Sequence, residues 1–169
     1  AHPTDSSGCK SMSDLKPLAE LLQKHNFSTD GFENAIQSSD VKGANTEHAF
    51  DVIVENQRGI KLLGIPLFSG KSLLPLVDPP RYQRLDGVKV TLPHESMANY
   101  PLPGVDWTWS WSLWYVLMLH DVDEIGWVYA PFWKPGSCWH GKYSFGDFVR
   151  RRLWVRRRHR ERTEISEVN

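Results

Sequence analysis

The chain is 169 residues long, 24% charged, and balances 20 basic against 20 acidic residues, so it carries no net formal charge. That length supports one packed domain with an appendage, and the balance excludes a histone-like or polybasic-tail protein drawn by a global field to an anionic partner. Cys9 and Cys138 lie far apart with no CxxC, which excludes a disulfide framework and favours a reducing compartment. No apolar run approaches the roughly 18–20 residues of a membrane span, and Ala1-His2-Pro3-Thr4-Asp5 lacks the basic-then-apolar pattern of a secretory signal. The expectation is a cytoplasmic protein that meets membranes only at their surface.

Residues 1–48 contain no Trp or Tyr and read as an appendage. One short helix is predicted there: Ser13 can cap it, Pro17 falls in its first turn, and Leu15, Leu18, Leu21 and Leu22 recur at helical spacing up to about His25. Its leucine stripe either docks on the domain or meets a partner, docking being the commoner outcome. Residues 28–48 read as a polar connector with a short helical turn around Phe32–Ile36. The domain proper is placed at 49–162, with a loose tail at 163–169. Within it, Asp51–Arg58 reads as a strand and Ile60–Leu63 as a second. A loop dense in Gly and Pro follows, then a short strand over Val88–Leu92. After another irregular stretch comes a Trp-rich strand from Trp107. Asp121–Gly126 forms a turn, extended structure resumes over Gly126–Ala130, and an Arg-rich strand closes the domain.

All eight tryptophans lie between residues 107 and 154, and residues 150–162 hold eight arginines with a single acid. Alternate strand residues share a face. Trp107, Trp109 and Trp111 then form one indole face, backed by Thr108, Ser110 and Ser112. In the Arg-rich strand, Arg150, Arg152, Trp154, Arg156 and Arg158 share a face, while Val149, Leu153 and Val155 share the other with Arg151 and Arg157. If the two segments pair, guanidiniums lie on indoles as a cation–π ladder. Trp107, Trp109, Trp111, Trp127, Arg150, Arg152, Trp154 and Arg156 are its expected members. Each such contact contributes about 0.5–1 kcal/mol exposed and about 2 kcal/mol desolvated, which makes a structural role the leading one. For Arg157, Arg158, Arg160 and Arg162, near the strand's end, packing and binding of phosphate groups stay equally open.

Other candidate chemistry is thin. Asp121-x-Asp123-Glu124 has Gly126 at the sixth position of a calcium loop, but Phe132 stands at the twelfth where a bidentate Glu is needed, and a solvated turn is favoured. Cys138 and His140 are one close pair where structural zinc wants four ligands. No G-x-S-x-G, HExxH or Gly-rich phosphate loop is present. No metal, cofactor or catalytic residue is therefore assigned, and a non-enzymatic role is expected.

Glu55-Asn56-Gln57-Arg58 followed by Gly64-Ile65-Pro66-Leu67-Phe68-Ser69 and Ser72-Leu73-Leu74 resembles the opening of a dysferlin domain. Trp107-x-Trp109, Trp114-Tyr115-Val116, Gly126-Trp127-Val128-Tyr129-Ala130, Trp139-His140-Gly141 and Phe148-Val149-Arg150-Arg151-Arg152-Leu153-Trp154 resemble its remainder, over about residues 50–160. The resemblance implies a mainly β fold with two long antiparallel strands and interleaved Trp and Arg. It also implies a membrane setting, most like the short fungal sporulation members that serve the growing spore (prospore) membrane. On this reading the protein is a peripheral adaptor on the prospore membrane or endoplasmic reticulum. It would bind anionic phospholipid, a membrane-localised protein, or both, and no nucleic acid. The contact surface is expected in the loops around Gly64–Leu76 and Pro131–Gly141 with Arg157, Arg158, Arg160 and Arg162. Phe68, Trp133 and Trp139 are candidates for insertion or docking, although simple loop packing is the commoner fate of such residues. The alternative is a nucleic-acid-binding module, which needs open indole faces for base stacking.

Overall fold

Two strands of thirteen residues form the spine of the domain. The computed structural model describes residues 16–27, 45–118 and 121–162, and in it these strands are β1 (Thr46–Arg58) and β8 (Val149–Glu161). They pair antiparallel along their whole length, Thr46 opposite Glu161 and Arg58 opposite Val149. On one face, Val52 and Val54 meet Val155 and Leu153, and all four are buried. Each such side chain removed from water stabilises the ribbon by about 1.5–3 kcal/mol. On the other, Glu47, Asp51, Glu55 and Gln57 stand opposite Arg160, Arg156, Arg152 and Arg150. The Trp-rich segment pairs with the Arg-rich strand as expected, but only through Thr108 and Trp109 on its other edge. The partner along the whole length is the acid-bearing β1, whose charges attract the arginines across the ladder.

The outer edge of β1 is covered by β4 (Tyr82–Arg84). The outer edge of β8 is visited three times, by β7 (Val128–Ala130) near its start, β6 (Tyr115–Val116) at its middle and β5 (Thr108–Trp109) near its end. A separate hairpin joins β2 (Lys61–Leu62) to β3 (Ile65–Pro66). The fold is mainly β and antiparallel, with a single short helix before it among the described residues. Several boundaries differ from expectation. β1 begins at Thr46, before Asp51. Residues 88–92 form no ladder, and only Lys89 bridges, to Gln83. β3 and β4 lie in stretches dense in Pro and Gly, where composition signals loop and tertiary pairing overrides it.

The helix α1 (Lys16–Lys24) belongs to a separate unit, residues 1–43. Leu18, Ala19 and Leu22 of its stripe are buried. It ends at Asn26, whose φ of 59° lets the Asn26 and Phe27 amides donate to the Gln23 and Leu22 carbonyls at 3.0 Å each, the capping arrangement that a left-handed residue makes possible. Ser13, Leu15, the turn at 32–36 and the tail at 163–169 lie outside the described residues. No described helix is long and apolar enough to cross a membrane.

Candidate functional site

The face of β8 that carries Arg150 to Arg160 is built as a stack of alternating rings and guanidiniums. Arg150 lies 4.7 Å from the Phe68 ring and 4.0 Å from Trp127. Arg152 lies 4.3 Å from the same Trp127 ring and 4.6 Å from Trp154. Arg156 covers Trp109 at 4.1 Å, and Arg158 and Arg160 cover Trp107 at 4.6 and 4.7 Å. The rings come from β5 and the residue before it (Trp109, Trp107), from the residue before β7 (Trp127), from β8 itself (Trp154) and from the β3–β4 connection (Phe68). Trp127 is the most buried indole, at 2% exposure.

Each cation also has a polar partner. Gln57 Oε1 accepts from Arg150 Nε and Nη2 at 2.9 and 2.7 Å. Glu55 Oε2 accepts from Arg152 Nε and from the Trp154 indole, both at 2.8 Å. Arg156 donates to the carbonyls of Trp111 and Ser112 at 2.9 and 2.7 Å. Arg158 pairs with Asp51, and Arg160 bridges Glu47 and Asp106 at 2.8 and 2.9 Å. Burial lowers the pKa of Arg150 and Arg156, and it raises that of Asp51 against the pull of Arg158. The Arg160 guanidinium holds Asp106 below the usual carboxylate range.

One expectation is corrected here and one open alternative is narrowed. Trp111 leaves the indole face. Ser110 N and Trp111 N both donate to the Arg157 carbonyl, at 2.9 and 3.2 Å, and two amides on one carbonyl make a bulge that reverses the alternation. Trp111 accordingly meets Phe50 and Tyr115, at 5.6 and 5.5 Å, on the face of Val155 and Arg157. The second concerns the trailing arginines. Arg158 and Arg160 are held by acids and an indole, and Arg157 lies half-buried 5.8 Å from Phe50. Arg162 is exposed, its amide donating to the Asn45 carbonyl at 2.8 Å. Of the two alternatives left open for these four arginines, packing describes Arg158 and Arg160, which are engaged within the domain.

Phe68, Trp133 and Trp139 are also taken into the packing. Phe68 meets Tyr129 and Tyr143 at 5.7 and 6.1 Å, Trp133 meets Trp139 at 5.6 Å, and Arg151 covers Trp139 at 4.1 Å on the opposite face of β8. All three are half-buried, and burial alone pushes Arg151 down to about 10.

The acidic turn is internal scaffolding. Asp123 Oδ1 accepts the amides of Ile125 and Trp127 at 3.0 and 2.8 Å, and Oδ2 accepts the Tyr129 hydroxyl at 2.7 Å. Burial, with that hydrogen bond, pushes Tyr129 up to about 12. Gly126 closes the turn at φ +89°, where a Cβ would collide with Val116. His140 is likewise committed, Nδ1 lying 2.6 Å from the Lys142 carbonyl and Nε2 3.3 Å from Asp147. Among the described residues no group of His, Cys, Asp and Glu is arranged to hold a metal ion.

Residues that sequence reasoning passed over complete the array. Glu47, Asp51 and Glu55 recur every four residues on β1, and alternation alone puts them on one face with Gln57. Arg58 binds Asp78 through two bonds of 2.5 and 2.6 Å, and its guanidinium holds Asp78 below the usual carboxylate range. Asn56 ties the Pro80 carbonyl at 2.8 Å. Every residue of Glu55-Asn56-Gln57-Arg58 is thus engaged within the domain.

No protein-family model matches the chain. It is 43% identical over 124 residues to the meiotically up-regulated gene 65 protein of Schizosaccharomyces pombe, covering 73% of this chain and 48% of that relative, about half its length. A segment of 57 residues is 46% identical to tectonin beta-propeller repeat-containing protein 1 of Rattus norvegicus, covering 32% of this chain and 5% of that one. The sporulation-specific protein 73 of Saccharomyces cerevisiae is 40% identical over 124 residues, which cover 63% of this chain and 83% of the relative. The chain belongs to the family of that sporulation-specific protein.

Proposed function

We propose that the chain is a non-enzymatic adaptor of fungal sporulation, built on a dysferlin-type domain and working at the surface of an internal membrane, the prospore membrane above all. The sporulation-specific and meiotically up-regulated relatives support the setting. The dysferlin-type assignment draws on the ordered Gly126–Ala130 and Phe148–Trp154 motifs, which lie side by side in the sheet. The rat relative, which matches through a small part of its length, supports a module that also occurs inside larger proteins.

The observation that carries the adaptor reading is closure of the Arg/Trp array on itself. The acids of β1 neutralise the cations and the guanidiniums cover the indoles, so the sheet acts as a rigid scaffold and contact falls to its loops. The same closure argues against nucleic acid, since bases would have to displace guanidiniums already seated on the rings. Expressing the chain in S. cerevisiae that lacks the sporulation-specific protein tests the reading. Restored spore formation, with the chain in the membrane pellet of sporulating cells, is the expected result. A well-expressed chain that restores nothing and stays in the supernatant would sink it.

A further inference from the structure

Three loops leave the end of the sheet marked by Arg58 and Val149. The β2–β3 hairpin is joined to the segment before β8, with Lys61 N donating to the Tyr143 hydroxyl at 3.2 Å and Gly59 N to the Phe148 carbonyl at 3.0 Å. The loop after Ser69 is held to the same end by reciprocal backbone bonds between Arg58 and Ser69 of 3.2 and 3.0 Å, and by the Arg58–Asp78 pair. These loops hold Leu62, Leu63, Ile65, Leu67, Leu76 and Phe145 in solvent, with Leu63, Leu76 and Phe145 at 94%, 106% and 101% exposure.

The backbone makes two of these leucines doubly costly. Leu63 has a φ of 48° and Leu76 a φ of 66°, the left-handed region in which Cβ crowds the backbone. Leu63-Gly64 fills a two-residue hairpin turn, where Asn-Gly is the ordinary choice. A bulky aliphatic residue at such a position adds strain and exposes apolar surface, and neither helps the fold. Unfavourable residues kept at an exposed tip point to a use outside the fold.

Charge names that use. Residues 59–77 and 131–146 contain Lys61, Lys71, Lys134 and Lys142 and no Asp or Glu. The acids that end these stretches, Asp78 and Asp147, are buried and held by Arg58 and His140. Asp121, Asp123 and Glu124 line a cleft of about 610 Å³ with Lys61, Lys142 and Tyr143, so acids match the lysines on that side and the uncompensated positive charge of these loops rests on Lys71 and Lys134. Separate aliphatic tips flanked by lysines match a leaflet, with apolar groups below the headgroups and ammoniums at the phosphates. A protein interface would favour Trp and Arg anchors in a closely packed patch, and here Trp133 and Trp139 are half-buried while residues 59–77 and 131–146 contain no Arg.

We infer that this end of the sheet is a membrane-insertion tip for an anionic phospholipid leaflet. The inference rests on the membrane-surface reading above and names the surface that carries it. It is tested by flotation of the full chain with phosphatidylcholine vesicles, with and without phosphatidylserine, at low and physiological salt. The wild type floats with the anionic vesicles, less at higher salt. The Leu63→Asn/Leu76→Asn variant relieves the backbone, so its thermal midpoint is unchanged or raised while its partition onto anionic vesicles falls about tenfold or more. Lys71→Glu/Lys134→Glu lowers partition and flattens the salt dependence. A folded Asn variant that floats as well as wild type overturns the tip but leaves the membrane reading standing. A wild type that floats with no vesicle, yet pellets with membranes in sporulating cells, also overturns the tip and leaves an adaptor recruited by protein.

Discussion

The two ends of the β1–β8 ribbon carry the chain's most conspicuous residues and use them in opposite ways. At the end of β8 four arginines crowd into six residues, yet Arg158 and Arg160 face Asp51, Glu47, Asp106 and Trp107, and the charge is answered inside the fold. At the Arg58 end the sequence is unremarkable in charge, yet Leu63, Leu76 and Phe145 stand fully in solvent. A cationic run is therefore a poor guide to a binding surface when it lies in a strand, because register decides what each charge meets. Exposed aliphatic side chains on constrained turns are the feature on which the proposed contact surface rests.

The comparison can be broken first at its structural half. Trp127→Ala removes the indole held between Arg150 and Arg152 and should cost about 3–5 kcal/mol in urea unfolding. A loss below about 1 kcal/mol would mean that the stack is not what holds the ribbon rigid. Glu55→Ala leaves Arg152 and the Trp154 indole without their buried acceptor and should cost about 3 kcal/mol. A neutral result there would remove the acid row as the reason the arginines are not free.

The acid limb of stability sharpens the same point. Asp78 has a folded pKa lowered from 3.8, chiefly by its bond with Arg58. Its contribution is fully present above the unfolded value and is lost as pH falls through the lowered one. Asp78→Asn should therefore flatten the fall in stability below about pH 4 in pH-dependent urea unfolding. An unchanged slope would show that Arg58 is not tied to the loop in solution. The smallest effect on membrane contact is expected at the arginine end. Arg158→Ala/Arg160→Ala should lower the thermal midpoint, because Asp51 loses its partner, and leave vesicle flotation unchanged. If the folded variant lost flotation, the contact surface would move back to that end.

The strand character of 149–161 and its division into an arginine face and an aliphatic face follow from alternation alone, since side-chain period is a local property. So do the leucine stripe of α1, the turn at Asp121–Gly126 and the proximity of guanidiniums to indoles as residue types. The pairing partner was not legible in the same way. Residues 47, 51 and 55 repeat at spacing four, which suits a helix face as well as one side of a strand, and only the ladder with β8 selects between them. Trp111 was placed on the wrong face because a bulge is a tertiary event, set by which carbonyl two neighbouring amides share. The short strands β3 and β4 were hidden for a related reason, because their residues favour loops and are held extended by neighbours.

Composition and alternation thus determined by themselves that this chain makes a β ribbon rich in stacked cations and rings. Tertiary structure alone decided which charges are neutralised and which apolar side chains stay in water. The physical reason is range: alternation is written between neighbours in the chain, whereas neutralisation and burial depend on residues about a hundred positions apart, as Arg152 and Glu55 are.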